Sequence, residues 1–245
     1  MFRKHINTKK KEQKDRIAWR SHEVTRIEAF SDAVFAFAVT LLIVSLEVPK
    51  TFDDLLQNLT GFIPFGFSFL MLFSFWSAQY VFFRRFGLHD SYTYNLNAAL
   101  IFMVLYFVYP LKFLFALIVQ LMWKHQFSGI SDVQVSKLMY IYSGGYAIIS
   151  LLFILMYKHA LRKKDDLKLT DSEAFEAKTT LYNHLIAMLF GIASIIVAAI
   201  SPSLGGVAGI MYAFIWIPMM IVEKRRNKMH RIKFEQFGKI SRESV

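Results

Sequence analysis

The chain has 245 residues, of which 55% are hydrophobic and 25 are phenylalanine, and its net charge is +11. A soluble domain of this length could not bury so much apolar surface, and the apolar residues come in blocks of about twenty, the length of a helix that crosses a bilayer. The sequence has no cysteine, which excludes disulfides, thiolate metal sites and cysteine nucleophiles. Basic flanks of membrane spans explain the positive charge better than nucleic-acid binding does.

The apolar blocks predict six transmembrane helices. We place them at about Ile27–Val48, Phe62–Phe83, Ser91–Lys112 or beyond, Leu138–Leu161, Thr180–Ile200 and Val207–Val222. The third is ambiguous, because apolar sequence continues past Pro110 and the helix either kinks there or ends in an interfacial piece. Thr170 or Asp171, followed by Glu173, is a helix-start signature, so the fifth span should extend into the cytosol.

The loop charges predict the topology. Lysine and arginine cluster before the first span, between the second and third, between the fourth and fifth, and after the sixth. The loops on the opposite side of the membrane contain only Lys50, Lys124 and Lys137 as basic residues, with Lys112 near that surface. Both termini should therefore be cytosolic. The predicted fold class is an all-α membrane protein, in which residues 21–226 form one six-span domain between basic cytosolic tails at 1–20 and 227–245.

The first span combines an apolar stripe with ionisable residues. At 100° per residue, one side of the helix carries Phe30, Ala33, Phe37, Leu41, Val44 and Val48, with Thr40 beside it. Asp32 lies nearly opposite. An ionisable residue at the centre of a bilayer costs about 2.5–3.5 kcal/mol on insertion scales, so such a residue usually marks a function.

The Asp32 carboxylate needs hydrogen-bond donors, and its depth predicts them. It lies roughly 8 Å above the cytosolic end of the first span. The second and third spans place polar side chains in the same layer, namely Trp76, Gln79, Asn95 and Asn97. We predict a hydrogen-bonded network that joins these three spans and that Arg26 could join. The network either only fastens helices together or holds a functional helix in place.

Arg26, Phe30, Ser31 and Asp32 at the start of the first span resemble the RxxxFSD signature of a known family. Its vertebrate member, transmembrane protein 175, is a potassium channel of endosomes and lysosomes. Six spans correspond to one repeat, as in the prokaryotic members, which are tetramers. The resemblance implies a homotetramer with the first helix lining a central pore, in a bacterial or archaeal plasma membrane. It implies a passive potassium channel rather than an enzyme, with K⁺ as permeant ion and no cofactor or other metal.

The resemblance also implies roles for residues of the first span. Family members constrict the pore with apolar rings that begin five residues after the motif aspartate, which here are Phe37, Leu41 and Val44. Thr40 matches a position where some members place a hydroxyl ring that affects selectivity. Phe37 departs from the expected isoleucine or leucine, and Gln79 lies where the family often has a histidine-containing stretch.

Each role has a plainer alternative. Phe37 could serve ordinary helix packing, and the Thr40 hydroxyl could bond back to its own helix. Glu47 lies at the outer end on the Thr40 side, where four carboxylates would concentrate cations at the mouth, or it could be an exposed interfacial residue.

Two other functions stay open at this point. A secondary transporter usually has broken helices and midplane charges in two related halves, whereas here the charges lie near the inner surface of the first half only. A membrane-embedded enzyme would use Asp32 as acid or base. However, the spans contain no His-Glu-x-x-His, no Gly-x-Ser-x-Gly and no clustered acidic metal ligands.

Overall fold

The computed structural model describes residues 23–44, 50–124 and 130–230, and this part of the chain is helical and contains no strand. The helices, in chain order, are α1 (Arg26–Val44), α2 (Phe52–Thr60), α3 (Phe62–Phe86), α4 (Ser91–Lys124), α5 (Asp132–Arg162), α6 (Asp171–Ile200), α7 (Gly205–Ile210) and α8 (Trp216–His230). Short 3-10 turns at Pro202–Leu204 and Met211–Phe214 flank α7. The predicted all-α class is confirmed for these residues.

Five segments are long and apolar enough to cross a membrane. They are Phe62–Phe86, Ser91–Val108, Asp132–Arg162, Asp171–Ile200 and Gly205–Arg226. The shorter α1 is not among them, and its first two turns carry Arg26, Glu28 and Asp32. The count of six spans therefore stays a prediction, in which α1 is the remaining span.

Two of the long helices begin at complete capping boxes. The Thr170 hydroxyl accepts a hydrogen bond from the Glu173 backbone N–H (3.3 Å), and the Glu173 carboxylate accepts one from the Thr170 backbone N–H (2.9 Å). This confirms the helix-start signature ahead of the fifth span. Ser131 and Gln134 form the same motif before α5, so that helix begins at Asp132, earlier than the predicted Leu138.

The third predicted span does not end at its proline. α4 passes through Pro110 and continues to Lys124, and Pro110–Val119 is a further apolar stretch of the same helix. The Tyr142 hydroxyl of α5 donates a hydrogen bond to the Pro110 carbonyl, which ties the proline region of α4 to the neighbouring helix.

The predicted sixth span falls within the candidate membrane-crossing segment Gly205–Arg226, but it is not regular α-helix throughout. The 3-10 turn at Met211–Phe214 separates α7 from α8. α7 packs very closely, because a Cβ added to Gly205 would lie 2.9 Å from the backbone nitrogen of Ser136. α8 ends at His230, so the boundary predicted at residue 226 falls within this helix.

The core lies between α3, α4 and α5, where aromatic rings meet edge to face. Tyr157 is buried, and its ring centroid lies 5.3 Å from that of Phe82 and 5.6 Å from that of Phe86. On the neighbouring helix, His184 stacks on Phe153 at 4.6 Å. These contacts hold α3, the helix against which α1 packs, in the core.

A carboxylate outside the spans joins the loop after α3 to the end of α5. Asp90 Oδ2 lies 2.8 Å from both Lys163 Nζ and His159 Nε2, and Asp90 Oδ1 accepts a hydrogen bond from the Thr93 backbone N–H at 2.8 Å. Burial opposes ionisation of Asp90. The hydrogen bonds from Lys163, His159 and Thr93 outweigh burial and hold the pKa of Asp90 well below its usual range.

Asp90→Asn should lower the thermal unfolding temperature at neutral pH, and the exposed-site control Asp165→Asn should not. A carboxyl group whose folded pKa is depressed stabilises the protein fully above its unfolded pKa of about 3.9, and this stabilisation is lost as the pH falls through the folded pKa. The difference between wild type and Asp90→Asn should therefore shrink below about pH 4. Melting curves in detergent across this range measure it, and a difference that widens on acidification would contradict the assignment.

Candidate functional site

One face of α1 is buried against α3 and α4. Ser31, Phe35, Ala38 and Leu42 recur every three or four residues, and each is at most 5% exposed. Ala38 is small enough to let the helix axes approach closely. Sequence reasoning assigned the opposite stripe but missed this buried face, although the spacing of these four residues is a detectable signal for it.

The other face of α1 is large, apolar and uncovered. Phe30, Phe37 and Leu41 are 62%, 57% and 48% exposed, and Thr40 is exposed beside them. Helix geometry sets this stripe on the side of α1 away from α3 and α4. Val44 is the last residue of α1, but its side chain and the whole of Glu47 lie outside the described residues.

Asn97 links α1, α3 and α4 from a fully buried position. Its Nδ2 donates a hydrogen bond to Ser31 Oγ at 2.9 Å, and its Oδ1 accepts one from Gln79 Nε2 at 3.0 Å. Ser31 Oγ in turn donates to the Ile27 carbonyl at 2.7 Å. Because buried polar groups cost free energy unless they are paired, this chain of hydrogen bonds favours one depth and one rotation of α1.

A second hydrogen bond joins α1 to α3 on a more exposed side. Trp76 Nε1 donates to Asp32 Oδ1 at 2.7 Å. The indole ring is held in turn by stacking on Tyr80, with centroids 5.5 Å apart, and by contact with Phe73 at 5.3 Å. Asp32 is therefore bonded to a side chain whose own orientation is fixed by α3.

Two residues of the predicted Asp32 network lie apart from the hydrogen bonds of Asn97 and Asp32. Arg26 is exposed at the start of α1, and Asn95 is exposed on α4. In the described chain, neither contributes a hydrogen bond to Asp32 or Asn97. The two asparagines are only two residues apart, so the rotation of α4 decides which of them reaches α1.

The Thr40 hydroxyl is both bonded to its own helix and accessible. Its Oγ1 donates to the Phe37 carbonyl at 2.7 Å. A hydroxyl has one proton to donate and two acceptor lone pairs. With the proton directed at the backbone, the lone pairs of Thr40 are left for an external partner.

The described residues offer no metal site that would suggest a different function. Within residues 23–44, 50–124 and 130–230, no group of three or more His, Asp or Glu side chains is arranged to hold a metal ion. The polar groups of the site are instead one carboxylate, two hydroxyls, two amides and an indole N–H, which suit hydrogen bonding within and between helices.

Comparison with known proteins identifies the family. The family model described as endosomal/lysosomal potassium channel TMEM175 matches residues 26–110, which include α1 and the bonded parts of α3 and α4. A protein named potassium channel from Marivirga tractuosa is 35% identical over 218 residues, covering 84% of this chain and 88% of that protein. A potassium channel from Chamaesiphon minutus is 26% identical over 146 residues, covering 56% of this chain and 66% of that protein.

Solved structures agree with this assignment. The potassium channel MtTMEM175, crystallised as its T38A variant with a nanobody–MBP fusion protein, superposes with a TM-score of 0.76 at 34% identity, covering 87% of this chain and 97% of that chain. A structure described as a lysosomal potassium-selective channel TMEM175 homologue from Chamaesiphon minutus has a TM-score of 0.54 at 21% identity, covering 84% of this chain and 100% of that chain, and it supports the fold alone. The resemblance found in the first span is thereby confirmed, and the chain belongs to the TMEM175 family of potassium channels.

Proposed function

We propose that the protein is a passive, potassium-selective ion channel. In this proposal it is a homotetramer of six-span subunits with cytosolic termini, in a bacterial or archaeal plasma membrane, and four copies of α1 line the pore. The observation that carries the proposal is the two-sided character of α1. One face is fixed to α3 and α4 by packing and hydrogen bonds, and the other presents exposed apolar side chains outside the subunit.

The composition of the exposed face favours a pore over lipid. A lipid-facing stripe needs no polar group, whereas this one places Thr40 between Phe37 and Leu41. Ala33 is also exposed on this side, and Ala36 is exposed on the flank of α1 that carries Asp32. Small residues let helix backbones approach each other, so four α1 helices can pack around one axis.

A groove beside α1 supports assembly of several subunits. It has a volume of about 360 Å³ and opens outward between α1 and α3. Its walls are mostly apolar, with Ala36, Val39, Phe69 and Phe73 along them and with Asp32 and Trp76 at a polar patch. An adjacent α1 packed along this groove would bury it and bring the exposed stripes of two subunits to the same side.

The proposed mechanism is gating by dewetting. Rings formed by Phe37, Leu41 and Val44 narrow the pore, water leaves the narrow segment, and an ion then faces a desolvation barrier. The channel opens when α1 moves outward or rotates and water returns. The hydrogen bonds of Ser31 and Asp32 hold the rotation of α1 that the closed pore requires.

Selectivity follows from the cost of dehydration. Sodium, the smaller ion, holds its water more strongly than potassium does, so an apolar constriction disfavours sodium. The lone pairs of Thr40 can replace part of the lost water around a potassium ion. At the outer mouth, four Glu47 carboxylates would raise the local concentration of cations.

A flux assay on the purified protein in liposomes tests the function. A channel gives downhill, unsaturated potassium flux that needs no coupling ion and exceeds sodium flux. Saturable flux driven by a second ion would instead support a secondary transporter. The absence of any potassium flux from folded, correctly inserted protein would reject the channel.

Thr40→Val should lower the potassium-to-sodium permeability ratio several-fold. The substitution keeps the shape of the side chain but removes the oxygen, and one lost polar contact of about 1 kcal/mol corresponds to a change of that size. Thr40→Ser, which retains the hydroxyl, should stay close to wild type. Bi-ionic reversal potentials measure the ratio, and an unaltered ratio in Thr40→Val would leave the hydroxyl with only its bond to the Phe37 carbonyl.

A further inference from the structure

α2 is a short helix with sharply separated faces. Phe52, Leu55, Leu56 and Leu59 fall within an arc of about 100°. All four side chains are exposed, by 71%, 40%, 48% and 51% respectively. Asp53 is exposed as well, and it lies outside this arc by about 60°. We call the four apolar residues the α2 apolar face. In the described part of the chain, they form an uncovered surface.

The position of α2 relative to α3 indicates what covers this face. α3 has 25 residues, which is about 37 Å of helix and enough to cross the hydrocarbon of a bilayer. Its last turn carries Arg84 and Arg85, so its first turn lies at the opposite membrane surface. Gly61 alone separates α2 from that first turn. α2 therefore adjoins the membrane surface at which α3 begins, next to the lipid headgroups.

The α2 apolar face is also continuous with exposed apolar side chains at the start of α3. Phe62, Ile63 and Phe67 begin α3 and are 45%, 40% and 48% exposed. A nine-residue helix is marginal in water on its own, so α2 needs a surface to pack on. Its main contacts within the described subunit are with α3.

We propose that α2 is a membrane-docking helix whose apolar face inserts into the phospholipid interface at the outer surface. The partner is the boundary between headgroups and acyl chains, because apolar residues on one side and polar residues on the other are the signature of a helix that lies in this plane. The segment Phe52–Thr60 contains Asp53 and Asp54 and no basic residue. Its docking is therefore driven by apolar burial and gains nothing from anionic headgroups.

Docking of α2 has a consequence for α1 that rests on the proposed channel function. Residues 45–51 are all that joins the two helices along the chain. If α1 moves to open the pore, its outer end moves relative to a segment held in the lipid. The outer leaflet then acts as an anchor for the moving helix.

Spin-label accessibility tests the docking directly. Since the chain contains no cysteine, Leu59→Cys and Asp53→Cys each give a single labelling site in the full-length protein. Each variant is labelled with a nitroxide in phosphatidylcholine liposomes, and its collision rates with oxygen and with a water-soluble nickel chelate are measured. Leu70→Cys on α3, where the native side chain is 61% exposed, supplies the lipid-facing reference.

The proposal expects the Leu59 label to collide with oxygen several-fold more often than with nickel, as at Leu70, and the Asp53 label to favour nickel. Nickel access at Leu59 equal to that at Asp53 would place the face in water and overturn the proposal. Protection of Leu59 from both reagents would also overturn it, since the face would then be packed against another copy of the chain. Replacing half the lipid with phosphatidylglycerol should leave these ratios unchanged.

Potassium flux tests separately whether docking of α2 affects the movement of α1. Leu59→Asp should change potassium flux several-fold, and Asp53→Asn should not. Accessibility does not depend on conduction, so failure of the channel proposal would leave the labelling result intact. Unchanged flux in a Leu59→Asp protein whose Leu59 site is lipid-exposed in the labelling test would overturn the link alone.

Discussion

Phe37→Ala should raise potassium leak and weaken the preference for potassium over sodium. The side chain is 57% exposed on the uncovered face of α1, so its removal costs the subunit little packing. In a tetramer the substitution removes four rings at once, which widens the constriction and lets water remain in it. A barrier lowered by only about 1.4 kcal/mol already gives roughly tenfold more flux.

Phe35→Ala is the matched control for this experiment. It removes the same side chain from the same helix, but Phe35 is 5% exposed and packs in the core. We expect loss of stability of about 3–5 kcal/mol, as for other buried phenylalanines, and no selective rise in leak. Liposome flux and melting temperature measured on both variants separate the two effects. Unchanged flux in Phe37→Ala would remove this residue from the gate.

The exposed stripe of α1 could be predicted because it depends only on helical periodicity. Phe37, Thr40 and Leu41 share a face at 100° per residue whatever the helix packs against. The long spans could also be predicted, since blocks of apolar sequence reflect the thickness of the bilayer. The helix start at Thr170 followed from a local capping motif that needs no tertiary contact.

Features that depend on contacts with neighbouring helices could not be predicted from periodicity or local motifs. The depth of Asn95 and Asn97 was predictable, but their choice between α1 and the exposed side depends on the rotation of α4. Trp76 and the amides were all expected as donors to Asp32. The Trp76 indole donates to it, whereas the Asn97 amide pairs with Ser31 and Gln79 instead.

Two elements were missed for different reasons. α2 lies between two predicted spans and is too short and too acidic for a search based on apolar blocks, although the spacing of Phe52, Leu55, Leu56 and Leu59 reveals an amphipathic helix. The interruption at Met211–Phe214 lies within a continuous apolar run. Hydropathy alone does not distinguish a 3-10 stretch from regular α-helix there.

Asn97→Ala should destabilise the subunit and weaken the attachment of α1. The substitution leaves Gln79 Nε2 without its acceptor and Ser31 Oγ without its donor. A buried polar group left unpaired costs about 1–3 kcal/mol, which exceeds the average of about 0.6 kcal/mol for a hydrogen bond between membrane helices. We expect a lower melting temperature, and loss of assembled protein in size-exclusion chromatography.

Asn95→Ala is the matched control for this prediction, because it deletes the same amide from the same helix at an exposed position. Equal effects of the two substitutions would show that the Ser31–Asn97–Gln79 chain of hydrogen bonds does not position α1. If only Asn97→Ala is affected and part of it still assembles, that fraction should leak potassium, since α1 is then freer to rotate. In that case the hydrogen bond between the Asn97 amide and Ser31 would control the constriction that we propose for Phe37.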